Sequence, residues 1–352
     1  MKLIVVNYSM SSKSLVFSHQ RQLVVAMSQF FDSIDVFTTE ITDETLPQNV
    51  NVFLLPWRAK SPFRNAVKVL SVLYPVILKN RKSIFFTHMA DIHAALISPL
   101  TWGLKVRHVL WYAHARNSIY LVWASFFLTR ILSSTSGSCT LKVNRRKILY
   151  INQGIRQEDF SYYPRTLEGR KRILYYGRLD RSKNIHLFPE IITALNSKKL
   201  LFTLDIFGSP ANLDSERYLN NLISSLNSRN AHAIYFKGPI QRHIIPAMAR
   251  EYEIFLNLFS GSLDKTLIEA TFMGLPVITW NREYCQQFGT WSGGSETESL
   301  DFILREFTYV KSLNSLELHV EIKRRLDLAV LCHSFDGWVK RLVSAVEGGP
   351  GK

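Results

Sequence analysis

Two short segments of the chain have residue types and spacing that could bind and activate a diphosphate. The first runs Gly177-Arg178-Leu179, then Asp180, Arg181 and Ser182, then Lys183-Asn184, directly after the apolar run ILYY. A glycine ending a strand there sets one guanidinium and one ammonium on a short loop at the strand's carboxyl end. Arginine offers a planar fork to phosphate oxygens and lysine a compact point charge, so the pair would stabilise a leaving diphosphate as negative charge accumulates. Taken alone, the loop is equally a solvated basic turn. The second segment, Gly261 to Ile278, reads as a polar loop leading into a helix that ends at Gly274, with Pro276 opening the next strand. The backbone N–H groups of Lys265, Thr266 and Leu267 then lie at a helix N-terminus, where the dipole and unpaired donors favour a phosphate. Glu269, in the first turns, either points toward a ribose or serves the helix dipole at the surface.

Both segments need strands to present them. Apolar runs recur at 3–6, 33–39, 50–56, 83–88 and 108–114, and again at 172–177, 201–208, 233–238, 254–259 and 276–280, with amphipathic stretches between most of them. Runs that are apolar throughout are the mark of parallel strands buried on both faces. The expected fold is α/β: two doubly wound, Rossmann-like domains facing a central cleft, residues 1–165 and 166–352, joined near the polar stretch Tyr162 to Arg172. Ligands bind such sheets beyond the carboxyl ends of the strands. His114 closes the run HVLWYAH at such an end, where an imidazole either meets a ligand hydroxyl or is a satisfied buried group. An amphipathic tail, about 316–346, is expected to be helical and able to cross back onto the first domain, and the final Gly-Gly-Pro-Gly-Lys to be disordered.

Composition narrows the partners. The net charge is +15, and residues 1–150 hold 18 Lys and Arg against 6 Asp and Glu, a balance of +12, so the basic character belongs to the first half. Between Thr45 and Tyr150 Asp91 is the only acid, which suits a polyanion or an anionic membrane surface; the basic and aromatic stretch Pro56 to Lys82 is the expected dock. Nucleic acid is not expected, because no DNA- or RNA-binding motif accompanies the charge. The apolar run before Asn7 is shorter than the core of a secretory signal, and Ile119 to Leu128 is far short of the roughly 20 residues of a spanning helix. Cys139, Cys285 and Cys332 are scattered, without a metal or disulfide spacing, and fit a reducing compartment. A cytoplasmic protein, peripheral on the inner face of a plasma membrane, is the expectation.

At these residues the chain resembles a retaining glycosyltransferase of family 4, of the GT-B type, over nearly its whole length. The resemblance implies diphosphate binding by Arg178 and Lys183 beside Gly177, and ribose binding by Glu269. It implies a hinge near Asn152-Gln153-Gly154-Ile155, a sugar-contacting histidine at His114, and an acceptor side formed by Met10, Lys13 and His19 in the segment Met10 to Gln20. The loop at Lys237 and Gly238 is expected to complete the donor site with Lys265, Thr266 and Leu267. Two positions depart from the family. Gly261 stands eight residues before Glu269, where the family carries an earlier glutamate, so Asp264 or Lys265 is expected to meet the sugar instead; and Arg156 stands where an aspartate is usual. No Asp-x-Asp ends a strand, and Arg178, Lys183 and a helix terminus suffice against the leaving charge, so no metal or other cofactor is expected. The implied reaction moves a hexosyl group from a UDP- or GDP-sugar to a glycan or lipid-linked saccharide in bacterial surface polysaccharide assembly. The competing readings are an inverting GT-B transferase and an inactive nucleotide-sugar or polyanion-binding protein.

Overall fold

A computed structural model of the chain describes residues 1–13, 17–42, 45–55, 61–165, 171–228 and 233–348. Residues 349–352 of the expected disordered end lie outside the described residues, as do 56–60 of the expected basic dock, 14–16 of the first loop and 166–170 of the polar stretch. The chain forms two compact units, Met1–Gly154 with Asp336–Lys352, and Ile155–Phe335.

The first unit is a seven-stranded parallel sheet. Its strands are β1 (Lys2–Met10), β2 (Ser33–Ile41), β3 (Val50–Leu54), β4 (Ile84–His88), β5 (His108–Trp111), β6 (Arg130–Ser133) and β7 (Ile148–Tyr150), in the order β3-β2-β1-β4-β5-β6-β7. Its connecting helices are α1 (Ser18–Met27), α2 (Pro62–Lys79), α3 (Asp91–Gly103) and α4 (Ile119–Phe127). Leu3, Ile4, Val5 and Val6 are all buried, as expected of a central strand covered on both faces. Strands β4 and β5 are locked by His108, which is fully buried. The Thr101 hydroxyl donates to Ser98 O at 3.0 Å, so its oxygen accepts from His108 Nδ1 at 3.1 Å. That tautomer leaves Nε2 to accept from the Thr87 hydroxyl at 2.8 Å. Burial pushes the His108 imidazole down to about 3 and that of His93, on α3, down to about 4.

The second unit is a five-stranded parallel sheet in the order β10-β9-β8-β11-β12. Its strands are β8 (Arg172–Tyr176), β9 (Thr203–Phe207), β10 (Ile234–Gly238), β11 (Ile254–Asn257) and β12 (Val277–Thr279). Its helices are α5 (Phe188–Ser197), α6 (Leu213–Ser228), α7 (Ile245–Ala249), α8 (Lys265–Phe272), α9 (Arg282–Phe288), α10 (Leu300–Ser312) and α11 (Ser315–His333). Alternate residues of β8 feed opposite cores: Ile173 and Tyr175 pack with Phe188 and Phe307, Leu174 and Tyr176 with Phe255 and Ile268. Two doubly wound sheets are thus present, as the apolar runs imply, and each carries its candidate loops at strand carboxyl ends.

The units exchange the chain at Gly154, before the polar stretch, where the sequence had suggested 165/166. The reason is that residues past 154 are already packed in the second unit. Phe160 lies in its core, and the buried Arg165 guanidinium donates to Ala249 O, Tyr252 O and Met273 O at 2.8, 3.0 and 3.1 Å. The tail is two helices, not one. Helix α11 stays with α8, the chain turns extended at Ser334, and a last helix, α12 (Phe335–Glu347), joins the first unit. There Trp338 meets Trp111 edge-on at 5.1 Å and covers Gly154 so closely that a Cβ on that glycine would lie 2.5 Å from the indole. The Arg341 Nε donates to Ile151 O at 3.2 Å.

Candidate functional site

Strand β8 ends at Gly177, whose amide donates to Phe207 O at 3.1 Å. Gly208, after β9, comes so near that a Cβ there would lie 1.9 Å from Gly177 O, and its φ of +152° is one that side-chain-bearing residues rarely adopt. This tight crossing fixes the start of the basic loop. The Tyr175 hydroxyl donates to Arg178 O at 2.9 Å, holding the Arg178 backbone while its guanidinium projects into solvent, 3.9 Å from Asp180. Asp180 then caps a single 3-10 turn, Arg181–Lys183, by accepting from the Ser182 amide at 3.0 Å. That turn rotates Lys183 inward. Its side chain is buried, with Nζ 2.5 Å from Asp264 Oδ2 and 3.7 Å from the centre of the Phe259 ring.

Asp264 is the N-cap of α8 and a junction of charges. One carboxylate oxygen accepts from the Thr266 amide at 3.3 Å; the other accepts from Lys183 and from Asn257 Nδ2 at 3.2 Å. Burial would push this carboxyl up, but the Lys183 charge and these hydrogen bonds outweigh it and hold it below the ordinary aspartate value. Leu267 N donates to Asp264 O at 3.1 Å. The amides of Thr266 and Leu267, expected to face a phosphate, are therefore engaged by the cap in this structure.

Glu269 is buried one turn further along, where Arg242 Nη2 reaches its Oε1 at 2.7 Å, and the nearby Tyr176 hydroxyl donates to Thr266 O at 3.4 Å. Burial pushes the Glu269 carboxyl up, and Arg242 and Lys265 offset only part of that. Lys265 still touches solvent, yet the protein around it, and then the Arg242 charge, hold its ammonium below the ordinary lysine value. Lys237 is turned away from this cluster. Its Nζ lies 3.9 Å from Asp205 Oδ1, a buried carboxylate that also takes 2.7 Å bonds from Arg172 and the Tyr252 hydroxyl. Gly238 contributes its carbonyl to the Gly208 amide at 2.9 Å.

The loop before α8 is pinned by neighbouring amides. Leu258 O accepts from Trp280 Nε1 at 2.7 Å and from Asn184 Nδ2 at 2.9 Å, while Asn281, wholly buried, donates to Phe259 O and Gly261 O at 2.9 and 3.0 Å. Within it, a Cβ at Gly261 would stand 2.2 Å from the Phe259 ring. The space that a glutamate at 261 would need is filled by the same ring that lies over Lys183.

In the first unit, His114 is exposed on the loop after β5, its ring edge-on to Tyr112 at 5.7 Å. His19, exposed on α1, meets the buried His88 edge-on at 5.5 Å, and Lys13 is exposed on the loop after β1. Met10 is different: it is buried at the end of β1 with its sulfur 3.6 Å from Asn7 Nδ2, so it supports the loop from beneath and cannot present itself to an acceptor. Gln20 organises this end by accepting from the Tyr8 and Ser9 amides at 3.0 Å and donating to His88 O at 3.2 Å.

Residues 170–289, the span that holds Arg178, Lys183, Arg242, Asp264 and Glu269, match the family model for glycosyl transferases, group 1. HepE of Anabaena, solved in complex with UDP, is similar to this chain with a TM-score of 0.72 at 10% identity, over 99% of this chain and 100% of that one. A glycosyltransferase of Rickettsia africae matches with a TM-score of 0.73 at 13% identity over 98% of each chain. Sucrose-phosphate synthase of Thermosynechococcus elongatus matches with 0.70 at 12% identity, over 99% of this chain and 98% of that one. The fold is GT-B. No curated protein sequence matches the chain.

In this GT-B chain the sequence reading missed Asn257, Arg242, Phe259 and Asn281. Arg242 and Asn281 reach the cluster from elements distant in sequence, whereas Asn257 and Phe259 come from β11 and the loop just before α8. Arg156, the second departure, lies beside Glu158 and Asp159 at 3.8 Å, in a surface turn of the second unit.

Proposed function

We propose that the chain is a glycosyltransferase that moves a hexosyl group from a UDP- or GDP-sugar to a hydroxyl of a glycan or lipid-linked saccharide, with retention, in bacterial surface polysaccharide assembly on the cytoplasmic side of the membrane. The observation that carries this reading is the convergence of Lys183, Asp264 and the start of α8 beside an exposed Arg178. The complex of HepE with UDP favours uridine as the base.

In the reaction the bond from the anomeric carbon to the diphosphate breaks, the acceptor oxygen bonds that carbon, and the acceptor proton passes to the departing phosphate. Negative charge gathers on the diphosphate, and donors already in place cost no reorganisation at that moment. Lys183 is such a donor, because Asp264 and Asn257 hold its ammonium at a fixed point. Arg178, exposed and held only by its 3.9 Å pairing with Asp180 among the described residues, swings onto the same oxygens. Asp264 acts as a positioning residue for Lys183, which is a better use of a capped and paired carboxylate than contact with the sugar. Glu269 takes the ribose diol and shares it with Arg242. These groups offset the leaving charge without a divalent ion.

A thermal-shift comparison with UDP, GDP, ADP and CDP in EDTA tests the donor site. UDP at a hundred times its dissociation constant should stabilise the protein by about 2.7 kcal/mol, and Arg178→Ala should abolish the shift while leaving the unliganded midpoint in place. No shift with any nucleotide would sink the reading. A second reading rests on Phe259 filling the space of the absent glutamate: a binding protein without turnover. It predicts the UDP shift with no release of UDP from any sugar donor in a coupled assay.

A further inference from the structure

Helix α4 buries Leu121, Ala124 and Leu128 and turns Ile119, Tyr120, Trp123 and Phe126 outward, each 46–77% exposed. This face continues onto α3. Phe127 stands edge-on to Trp123 at 5.0 Å and to Trp102 at 5.8 Å, and Trp102 is itself 62% exposed, so an aromatic row crosses both helices. Single exposed apolar side chains are ordinary, whereas a contiguous row of this kind marks a contact surface. Helix α2 packs on α3 in the same layer and exposes Phe63 and Tyr74.

The rim is cationic. Lys147 Nζ donates to Ser125 O and Phe126 O, both at 2.9 Å, which seats the run Arg145–Lys147 at the carboxyl end of α4 with Arg145 and Arg146 exposed. Lys105, exposed, follows α3 with its amide on Trp102 O at 3.0 Å. The one acid of this region, Asp91, is engaged by the Ser118 hydroxyl and the Ile92 amide. No helix of the described residues is long and apolar enough to cross a membrane, and α4 has nine residues. Tryptophan and tyrosine on a short helix rimmed by Arg and Lys suit a helix lying flat at the headgroup level, where apolar burial and charge act together.

We propose that the exposed face of α4, with Trp102 of α3 and the Arg145–Lys147 rim, docks the first unit on an anionic bilayer surface. Pairing with a second copy through the same face would bring together two faces whose rims carry the same positive sign, which like charge opposes. The proposal stands on the first unit alone and holds whether or not the chain transfers sugar. It also centres the dock on α4 and Trp102, beside the basic and aromatic stretch Pro56 to Lys82, whose helix α2 packs on α3.

Co-sedimentation of the full chain with phosphatidylcholine vesicles, with and without phosphatidylglycerol, tests it. Binding is expected only with phosphatidylglycerol, with tryptophan emission shifted to the blue and quenched by lipids brominated on the acyl chain. Trp123→Ser with Phe126→Ser should weaken binding at least about tenfold, and Arg145→Glu with Arg146→Glu at least about tenfold, both with an unchanged unfolding midpoint. Undiminished binding of the aromatic pair variant would overturn the proposal, as would equal binding to neutral vesicles or none to either. A wild-type dimer that Trp123→Ser converts to monomer would assign the face to a second copy and overturn it too.

Discussion

Lys183 and Asp264 stand out because each is buried with the other as its main counter-charge. Removing one partner strands the second in a poorly solvated place, which costs about 3–5 kcal/mol, while removing both charges together costs much less. Lys183→Met should therefore lower stability by that amount in urea unfolding, and Lys183→Met with Asp264→Asn should recover most of it. The pH dependence has a definite sign. Asp264 has a folded value below its unfolded one, so its contribution is whole above about pH 4 and is lost as pH falls through the folded value. Asp264→Asn should flatten that acid limb in the same titration. At this scale the sequence located Arg178 and Lys183 on the loop after β8 and Glu269 in α8, because glycine and helix signals surround them. It did not single out Arg242 and Asn281, whose partners lie 20 or more residues away, nor Asn257, whose side chain turns back onto the loop that follows its own strand. Met10 shows the converse: a residue matching an expected loop can lie beneath it.

Among the elements, β4 and β5 are joined by a neutral imidazole that the fold will not allow to charge. The unfolded chain takes up a proton at His108 and at His93 below about 6.5, whereas in the fold burial delays that to about 3 and about 4. Stability of the first unit is thus complete above pH 6.5 and falls as pH drops, by about 1.4 kcal/mol per pH unit for each histidine. His108→Gln should halve that slope between about pH 6 and pH 4, even while lowering stability near neutrality by disturbing Thr87 and Thr101; denaturant titrations at several pH values would show it. The apolar runs foretold β1 to β5 and β8 to β12 because strands buried on both faces need no alternation. Strands β6 and β7 escaped notice because neither has a clean boundary: only Leu128 and Thr129 separate β6 from α4, and β7 directly follows the basic turn Arg145–Lys147. The tail read as one helix because its amphipathic rhythm continues across Ser334, and only the packing of α11 on one unit and α12 on the other separates them.

At the scale of the molecule, the first unit is discontinuous and the second is not. Trp338, Val339, Leu342, Val343 and Val346 of α12 are all buried. At about 1.5–3 kcal/mol for each aliphatic side chain, their loss rivals the whole margin of about 5–15 kcal/mol that holds a domain folded. A chain ending at Phe335 should lose the calorimetric transition of the first unit and keep that of the second, including its UDP shift; a single transition lost or retained as a whole would show that the units do not melt separately. The division into two units could be read from two series of strands and the return of the chain from its amphipathic tail, but not the seat of that return, which depends on Gly154 having no side chain to collide with Trp338. The same return orders events during translation. Residues 155–335 are complete as soon as they leave the ribosome, while the sheet made before them waits, with Trp111 uncovered, until residues 336–347 have been added. The half of the protein synthesised first is the half finished last, and any chaperone that attends this chain will find its apolar work at the beginning of the sequence and not at its end.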